Sequence, residues 1–479
     1  MRFDLFWVLM GRTAYVFAPL YLIPFAYGFI YGVDGAGSFF ALSILTAILG
    51  MVFGNMGRSH MRQLSVQEGM LFILAVWLLL AVLGMLPFHL AGLHLSPVDT
   101  FLECISALTT TGMTSLGDVL PPMLLLWRAL LSWFGGLLFV VILVTVLPVV
   151  GGCFGVDFTV GQDRLFSPLW NRMTKPMREM MLLYIALTAV AAGIYLAAGD
   201  AALPAFMLAL FTISSGAGSM TGGISPTPAL MAAGGIVSLL SALPLLTLWQ
   251  AGRRHTAKNL LHHAELRAFF TLLLCAGILL ALLPILHGLL PVEAALGHGF
   301  FYAASFLSTN GLTLRPADEF HGFAQLLLIL LAIIGGCMGS AAGGFRISRL
   351  LVLCSLAWTE LLRTLHPRMV FAVRQGGEIV PLHAAGRILM LVFFFAAVFG
   401  GGSLLLAFAG LSPIETISLT VACLTTTGGV SSLAGLDTLA GLPAWTKFSC
   451  AFLMVLGRIE VFAFFLFVGA LFENMQRKW

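Results

Sequence analysis

Four short segments of the chain place hydroxyl or amide side chains next to glycine, a combination that can surround a bare cation with neutral oxygens. Glycine permits backbone conformations that a Cβ atom forbids, so main-chain carbonyls can point inward. A cage of carbonyl and hydroxyl oxygens can replace the water shell of an alkali ion without any carboxylate. The candidate cation-binding residues are Thr110, Thr111, Gly112, Ser214, Ser215, Gly216, Thr309, Asn310, Gly311, Thr426, Thr427 and Gly428.

A single segment of this kind has a simpler explanation, because Thr or Ser followed by Gly often just ends a helix. Recurrence changes that interpretation, since the central glycines are separated by 104, 95 and 117 residues. Four related segments, each after a short apolar stretch, indicate repeated units whose turns meet around one axis. The C-terminal ends of the short helices, each with about −0.5 charge, would then face the cation.

The composition places these turns in a membrane protein. Of the 479 residues, 60% are hydrophobic and only 9% are charged, against about 25% charged residues in soluble domains. The sequence therefore predicts a polytopic membrane protein and excludes a cytosolic enzyme and a nucleic-acid-binding protein. The seven cysteines form no C-x-x-C pair, so we expect buried apolar residues rather than a disulfide or zinc framework.

Hydropathy divides the chain into long apolar stretches that can cross a bilayer and short ones that cannot. The candidate spans are residues 7–31, 38–56, 68–92, 124–150, 179–198, 228–251, 268–290, 322–358, 385–410 and 443–471. The short stretches are residues 97–109, 203–213, 294–307 and 412–424. This order predicts an initial helix pair and four long–short–long units, with boundaries at 1–60, 61–160, 161–260, 261–372 and 373–479.

The distribution of basic residues tests this layout. With the N-terminus inside, 20 of the 24 Lys and Arg residues lie on the inner side, provided that every short stretch enters and leaves from the outer side. The exceptions are Arg128, Arg315, Lys447 and Arg458. Snorkelling to the outer interface explains Arg128 and Lys447. The basic inner segments 158–178 and 252–267 can contact anionic lipid or a partner, although topology alone explains their charge.

A run of small residues interrupts the longest candidate span. Its glycines and serine are Gly335, Gly336, Gly339, Ser340, Gly343 and Gly344. One interpretation is a helix with a G-x-x-x-G packing face. The other is a broken helix that gates the passage under the turns, since irregular backbone at membrane depth must border protein or a wet cavity. The residues by themselves favour neither interpretation.

Arg458 lies deep in the last candidate span, where a charged side chain is unfavourable and usually functional. We expect its guanidinium to face the pore or to hold the glycine-rich run through hydrogen bonds to carbonyls. The alternative is a structural ion pair with Glu460, which follows two residues later and so faces another side of a regular helix.

Several stretches together resemble a known family. They are Asp34–Gly37, the cytosolic stretch Glu265–Phe270, the glycine-rich run followed by Arg346 and Arg349, and Leu456–Glu460 in the last span. With the four repeated turns, they make the chain similar to the Trk/Ktr/HKT superfamily of potassium transporters, in particular to the bacterial Trk membrane subunits. The similarity covers nearly the whole length, and the order of the repeats is its most specific part.

The resemblance implies an all-helical polytopic membrane protein with four membrane–pore–membrane repeats in a pseudo-fourfold arrangement, preceded by a pair of transmembrane helices. It implies potassium uptake through a channel-like pore, with the four turns as selectivity filter, the glycine-rich run and Arg458 as gate, and K⁺ as the transported ion. It also implies a homodimer in the bacterial inner membrane, with a cytosolic NAD- or ATP-type nucleotide-binding regulatory subunit. No enzymatic activity, covalent cofactor or nucleic-acid partner is expected.

The second turn departs from the family pattern. Similar proteins carry Thr-Gly-Gly-Phe-Ser-Thr there, whereas Ser215–Met220 reads Ser-Gly-Ala-Gly-Ser-Met. Asn310 stands where a Thr is common in the third turn. With glycine taken as the central residue of all four turns, the resemblance predicts that potassium can be accommodated.

Two other classes of protein compete with a passive potassium pore. A secondary transporter coupled to H⁺ or Na⁺ needs acidic residues near the bilayer midplane, and Glu460 is the candidate for that role. A membrane-embedded enzyme needs a nucleophile with its base, or a set of metal ligands, within the spans. We find no such set in the sequence, so the coupled transporter is the stronger alternative.

Overall fold

The fold is described from a computed structural model of the chain. It covers residues 4–57, 66–90, 95–116, 120–145, 174–218, 224–245, 248–249, 263–314, 322–366, 368, 372–375, 378–461, 464–465 and 468–469. The basic segments 158–173 and 252–262, Arg315, Met220 and the predicted unit boundaries near residues 60, 160 and 260 lie outside these ranges.

An antiparallel helical pair opens the chain. Gly11 lets its two arms approach closely, since a Cβ atom there would lie 2.5 Å from the amide nitrogen of Gly54. Such contacts between small residues are typical of helices that pack within a membrane. The elements of the pair are α1 (Asp4–Phe17), a 3-10 turn (Ala18–Tyr21), α2 (Leu22–Tyr31) and α3 (Ala36–Met56).

Four units of similar plan follow, each with a long first helix, a short helix and a return helix. Unit 1 consists of α4 (Val66–Leu90), α5 (Pro97–Leu108) and α6 (Pro122–Thr145). Unit 2 consists of α7 (Thr174–Ala197), α8 (Ala202–Ile213) and α9 (Pro228–Ala242). Unit 3 consists of α10 (Ala264–Leu286), α11 (Val292–Leu307), α12 (Gly322–Ile334) and α13 (Ile347–Leu365).

A small antiparallel hairpin leads from unit 3 into unit 4. Its strands are β1 (Arg374–Gln375) and β2 (Glu378–Ile379). Unit 4 consists of α14 (Leu382–Ala407), α15 (Pro413–Thr425), the one-turn helix α16 (Gly429–Ser432) and α17 (Ala444–Ile459).

This architecture confirms the predicted fold class, an all-helical membrane protein with an N-terminal helix pair and four repeats. Seven helices among the described residues are long and apolar enough to cross a membrane. Large apolar side chains such as Phe29, Phe393, Leu404 and Phe408 are exposed, and such side chains are stable where they face lipid.

The return helices of units 2, 3 and 4 are shorter than the predicted spans because each is broken. α9 ends at Ala242, and Leu243 is extended with a ψ of 144°, as a residue before proline prefers. α12 ends before Gly335, which has a φ of +73°. α17 ends before Glu460, which has a φ of +72°. The return helix of unit 1, by contrast, runs without a break to Thr145.

Local sequence explains where the short helices begin. α5 begins at Pro97 and α15 at Pro413, and proline suits the first helical position because its φ is already helical and no N–H partner is needed there. Ser412 and Glu415 add a reciprocal capping box at the start of α15. These starts are exposed, whereas the same helices end in buried turns.

Aromatic side chains join the N-terminal pair to unit 1. Tyr21 stacks on Trp127 with 4.5 Å between ring centroids, and Phe17 meets the same indole edge-on. Trp127 Nε1 donates to the carbonyl of Gly84 at 2.9 Å, and the Tyr21 hydroxyl donates to that of Leu83 at 2.8 Å. The rings thus bury their apolar bodies while their polar atoms keep hydrogen-bond partners.

Candidate cation-binding site

All four short helices end in the same backbone geometry. One or two residues past the end of each helix lies a left-handed residue, with φ between 52° and 60°. The N–H of the following residue donates to a carbonyl five residues earlier, at 2.9–3.0 Å. A β-branched residue is rarely left-handed, so this strain marks a segment that its surroundings hold in place. The left-handed residues are Thr110, Ser215, Thr309 and Thr426.

This repeated geometry sets the register of the four turns. The residues after the left-handed position are Thr111, Gly216, Asn310 and Thr427. The next residues are Gly112, Ala217, Gly311 and Gly428. Gly216 therefore corresponds to Thr111, and Ala217 stands where the other turns have their central glycine. The prediction that Gly216 is the central residue of turn 2 is therefore one residue too early. Residue types alone do not show which residue is left-handed.

The turns meet in a closed ring that follows chain order. Turn 1 borders turn 2, since a Cβ atom on Gly112 would lie 2.9 Å from the amide nitrogen of Gly218. The Gly218 N–H donates to the Asn310 carbonyl at 2.8 Å, which joins turn 2 to turn 3. A Cβ atom on Gly311 would lie 2.7 Å from the amide nitrogen of Gly429 in turn 4.

A hydrogen bond between turns 4 and 1 completes the ring. The Gly428 N–H donates to the carbonyl of Thr111 at 2.6 Å. Two parallel bridges extend the pairing beyond the turns, Thr114 with Thr438 and Ile224 with Leu314. The C-terminal ends of the four short helices therefore converge, which concentrates their negative dipole ends at one place.

Side-chain hydrogen bonds brace turns 1, 3 and 4 from within. Thr109 Oγ1 lies 2.8 Å from Thr111 Oγ1, and Thr425 Oγ1 donates to Thr427 Oγ1 at 3.1 Å. In turn 3, Asn310 Nδ2 donates to Ser308 Oγ at 3.2 Å. Each pair links the residues on either side of the left-handed position, which stabilises the unusual backbone.

Turn 2 obtains its brace from another helix because Gly216 has no side chain. The hydroxyl oxygen of Ser132 in α6 lies 2.9 Å from that of Ser214. A Cβ atom on Gly216 would overlap the Ser132 hydroxyl. Sequence reasoning missed Ser132, although a lone serine in an apolar helix is a signal for a buried polar contact.

The site offers neutral oxygens rather than charged ligands. Within the described ranges, the buried atoms Thr110 Oγ1, Thr426 Oγ1 and Asn310 Oδ1 have no hydrogen-bond partner. The same part of the chain contains no group of three His, Cys, Asp or Glu side chains able to hold a metal ion. Uncharged oxygen donors suit a monovalent alkali ion, whereas tightly held divalent ions favour carboxylates or imidazoles.

The glycine-rich run is a non-helical segment, so the predicted break in the helix is present and a continuous helix with a G-x-x-x-G packing face is not. The chain leaves α12 at Ile334 and resumes a helix at Ile347. The reason is the left-handed φ of Gly335, Gly339 and Gly344, at 73°, 82° and 79°. Paired glycines at both ends let the segment fold back on itself, since a Cβ atom on Gly335 would lie 2.9 Å from Cα of Gly344.

This segment lies against two of the turns. The Gly343 N–H donates to the hydroxyl of Thr309 at 2.8 Å. A Cβ atom on Gly343 would overlap the Thr426 hydroxyl and the Thr425 carbonyl. Ser340 is fully buried and its hydroxyl donates to the Cys337 carbonyl at 2.7 Å. The glycine at position 343 is therefore required by space rather than by backbone angle.

The broken end of unit 2 and the first helix of unit 3 hold the same segment. The Cys337 N–H donates to the Ala242 carbonyl at 3.3 Å, and the Leu245 N–H donates to the Gly339 carbonyl at 3.1 Å. From α10, the Glu265 carboxylate accepts the Met338 N–H at 2.6 Å. Gly336 accepts an N–H from Ile347 at 3.2 Å.

Arg458 contacts the segment directly. Its side chain is buried, and Nη1 donates to the Ala341 carbonyl at 2.9 Å. The guanidinium also lies over the Phe139 ring, 4.1 Å from the centroid. Glu460 does not pair with Arg458, because it bonds to Arg349 and lies 3.7 Å from Arg346 Nε. The structure therefore has the carbonyl hydrogen bond that we expected rather than the alternative ion pair.

Arg128 and Lys447 each form a buried ion pair with an acidic side chain, so the prediction that they snorkel to the interface is wrong. Arg128 Nη1 lies 2.8 Å from Glu103 Oε1, and Lys447 Nζ lies 2.5 Å from Asp99 Oδ1. Sequence distance hid these partners, because Lys447 and Asp99 belong to different units. Burial of a charge is tolerated when a partner satisfies it.

Comparison with known proteins gives a consistent picture. A family model described as "TrkH: Cation transport protein" matches residues 247–475. The chain is 28% identical over 481 residues to the Trk system potassium uptake protein TrkH of Salmonella typhimurium, covering 96% of this chain and 97% of that protein. It is 28% identical over 423 residues to the Trk system potassium uptake protein TrkG of Escherichia coli, covering 84% of each.

The similarity extends to three dimensions. The crystal structure of the potassium transporter TrkH from Vibrio parahaemolyticus matches with a TM-score of 0.88 at 26% sequence identity. The match covers 97% of this chain and 98% of that one. All four units and the N-terminal pair thus fall within the matched length.

Proposed function

We propose that this chain, which belongs to the Trk/Ktr/HKT superfamily of potassium transporters, conducts K⁺ through the ring of four turns, down its electrochemical gradient. The observation that carries the proposal is the closed ring of Thr110–Gly112, Ser215–Ala217, Thr309–Gly311 and Thr426–Gly428 at the ends of four helices. The names of the similar proteins state potassium uptake, which supports K⁺ as the transported ion.

The ring provides what a dehydrated potassium ion needs. Carbonyl and hydroxyl oxygens replace its hydration shell, and the helix ends add a negative potential. Two ring carbonyls, those of Thr111 and Asn310, accept hydrogen bonds from neighbouring turns. Each such bond contributes only about 1 kcal/mol net, so an entering ion can exchange it for an ion–oxygen contact. The twelve predicted residues, with Ala217 added, form the proposed filter.

We propose the segment 335–344 as the gate of this passage. It reaches turn 3 through Thr309, and Arg458 ties it to the last helix through Ala341. Opening would break these two hydrogen bonds and move Gly343 away from turn 4. Because the backbone turns at glycines, the segment can change conformation without unfolding a helix.

A membrane potential supplies the driving force. It contributes about 2.3 kcal/mol per charge for each 100 mV. The alternative, transport coupled to H⁺ or Na⁺, would need a carboxylate that exchanges its ion. Glu460, the candidate, is held by Arg346 and Arg349, which favours a structural carboxylate over an exchanging one.

The setting of the protein is also part of the proposal. The family implies a homodimer in the bacterial inner membrane, surrounded by lipid, and the relatives' names place them in a Trk system. A cytosolic nucleotide-binding subunit is the proposed regulator. The proposed units remain 1–60, 61–160, 161–260, 261–372 and 373–479. No covalent cofactor and no enzymatic step enter the mechanism.

Uptake of ⁸⁶Rb⁺ into proteoliposomes tests the filter. We expect uptake that K⁺ suppresses at far lower concentration than Na⁺. Gly311→Ala should abolish it, because Gly311 has a φ of +62° and a Cβ atom would collide with turn 4.

The matched control is Gly193→Ala, near the C-terminal end of α7, where no atom of the described residues lies within 4 Å of the added methyl group. It should leave uptake unchanged. Full uptake by Gly311→Ala, or proton flux without K⁺ in the unmodified protein, would contradict the proposal.

A further inference from the structure

Glu103, on the short helix of unit 1, places a carboxylate behind the first turn. In the part of the chain that the structure describes, the buried acidic side chains are Glu103, Glu265 and Glu460, and Glu103 alone belongs to a short helix. Its side chain is 0% exposed. A buried charge at such a place requires partners, and their identity indicates what it does.

The carboxylate binds the chain just after turn 1. Glu103 Oε2 accepts the backbone N–H of Ser115 at 2.9 Å. Both of its oxygens lie 3.1 Å from the hydroxyl of Thr114, which donates to them. The Ser115 hydroxyl donates to the Asp99 carbonyl at 2.9 Å. The outgoing segment is therefore fixed to the same short helix whose end forms the turn.

Arg128 pairs with this carboxylate and orients it. Its Nη1 lies 2.8 Å from Glu103 Oε1 and 3.3 Å from the Thr114 hydroxyl. Both charged side chains are almost completely buried. Charge-assisted hydrogen bonds are shorter and stronger than neutral ones, so this pair is a stiff brace.

Unit 3 contains the same brace with a different side chain. Tyr302 precedes the left-handed Thr309 by seven residues, as Glu103 precedes Thr110. Its hydroxyl accepts the N–H of Leu314 at 3.3 Å. Leu314 follows Thr309 by five residues, as Ser115 follows Thr110. Both braces thus connect equivalent positions of opposite units in the ring.

Units 2 and 4 lack this acceptor and attach to the braced units instead. Their corresponding residues are Leu208 and Leu419. The Leu439 N–H of unit 4 donates to the Thr114 carbonyl at 2.9 Å, and the Ile224 N–H of unit 2 donates to the Thr313 carbonyl at 3.0 Å. The ring hydrogen bonds join the same units, since the Gly428 N–H of unit 4 donates to unit 1 and the Gly218 N–H of unit 2 donates to unit 3. The ring is thus built from two pairs, unit 4 on unit 1 and unit 2 on unit 3.

We propose that Glu103 is a positioning residue for potassium selection, with Tyr302 as its counterpart in unit 3. This inference rests on the proposed function, since it assumes that the ring is the filter. Discrimination between K⁺ and Na⁺ depends on where the ring oxygens lie. A brace on the outgoing segments of units 1 and 3 fixes the carbonyls of all four turns, because units 4 and 2 are hydrogen-bonded to these segments. Neither Glu103 nor Tyr302 needs to touch the ion.

Glu103→Gln tests this inference. Glutamine keeps the volume, but it replaces one acceptor oxygen by an amide donor and removes the charge that Arg128 pairs with. The measurement is ⁸⁶Rb⁺ uptake into proteoliposomes, with the concentrations of K⁺ and of Na⁺ that halve it. We expect the half-inhibiting Na⁺ concentration divided by the half-inhibiting K⁺ concentration to fall by about tenfold, since one charge-assisted hydrogen bond changes an equilibrium by at least that factor.

Two further variants make the result interpretable. Glu293→Gln makes the same charge change at the exposed start of α11 and should leave the ratio unchanged. Tyr302→Phe removes one oxygen from a longer hydrogen bond and should lower the ratio by a smaller factor. If Glu103→Gln yields no monodisperse protein, Tyr302→Phe decides the question by itself.

The outcomes separate this inference from the proposed function. Lower total uptake with an unchanged ratio in both variants would mean that the braces only support the fold, and it would overturn the inference. If Glu103→Gln leaves the ratio unchanged and Gly311→Ala abolishes uptake, the filter assignment stands and Glu103 has no role in potassium selection. Absence of ⁸⁶Rb⁺ uptake in the unmodified protein would overturn the proposed function instead.

Discussion

Units 1 and 3 share one plan up to the middle of the return helix and then differ. Each carries two glycines at the same distance from the start of that helix, Gly135-Gly136 in α6 and Gly335-Gly336 after α12. α6 continues to Thr145, whereas unit 3 leaves the helix at Gly335 and resumes it at Ile347. Paired glycines therefore do not break a helix by themselves.

The residues after the glycines explain the difference. Leu137–Phe139 continues α6 with large apolar side chains that are wholly or mostly buried, whereas Cys337–Ser340 contains Gly339, whose left-handed φ is incompatible with a continuing helix. Unit 1 uses its glycines for close packing, since a Cβ atom on Gly135 would overlap the Leu108 carbonyl. Unit 3 uses its glycines for backbone freedom. The same dipeptide is rigid in one unit and turns in the other.

The largest expected effect is that of Gly135→Ala. The added methyl group would collide with the backbone of α5, which cannot move without displacing turn 1. Overpacking of this kind costs about 1–3 kcal/mol or more. We expect a clear drop in the thermal unfolding temperature of the purified protein in detergent.

Gly193→Ala in α7 is the control for that measurement, because it also adds one methyl group to a helix but meets no neighbour. It should keep or slightly raise the unfolding temperature. Equal unfolding temperatures for Gly135→Ala and Gly193→Ala would refute the packing role of Gly135.

Gly335→Ala should disturb the gate rather than the fold. Alanine at a φ of +73° is strained by about 1–2 kcal/mol, and its Cβ atom would overlap the Gly343 carbonyl oxygen in the same segment. The strain alone shifts a two-state equilibrium by about five- to thirtyfold, and the collision further disfavours the closed segment. We expect ⁸⁶Rb⁺ uptake by the isolated protein to rise, because both effects act within the segment and not between helices. Gly322→Ala, at the start of α12, is the control, since no atom of the described residues lies within 4 Å of its added methyl group. Unchanged uptake in Gly335→Ala would argue against a gate at this segment.

Thr309→Val should have the smallest effect on the gate. It removes the acceptor for the Gly343 N–H, a hydrogen bond that contributes about 1 kcal/mol net. Uptake should rise by about fivefold, the factor that corresponds to this energy. Thr110→Val changes the equivalent residue of turn 1, whose hydroxyl has no partner among the described residues, and should not raise uptake. Equal uptake by the two variants would show that the hydrogen bond between Gly343 and Thr309 does not hold the gate closed.

Much of this architecture could be predicted from residue types because membrane segments obey a strict length rule. The four turns and the interrupted helix stand out as polar or glycine-rich segments in apolar surroundings. The break after α9 was predictable too, since Pro244 disfavours a helical Leu243. The prediction of a continuous span there gave hydropathy too much weight over proline.

Other parts of the site depend on contacts that a sequence does not display. The register of turn 2 follows from the left-handed φ of Ser215, which makes Ala217 the central residue, so an alignment on glycine could not find it. The Lys447–Asp99 pair joins residues of different units. Each of these features is fixed by packing between units, so periodicity within one unit cannot reveal it.

Ser132 and Gly216 occupy one shared volume at the junction of α6 and turn 2. The other turns carry a polar side chain at the position of Gly216, whereas here a hydroxyl comes from a neighbouring helix and lies 2.9 Å from that of Ser214. A chain of this plan can place a side chain on either position but not on both. The second turn therefore ties a permeation element to the helix of the preceding repeat, so that neither can be redesigned alone.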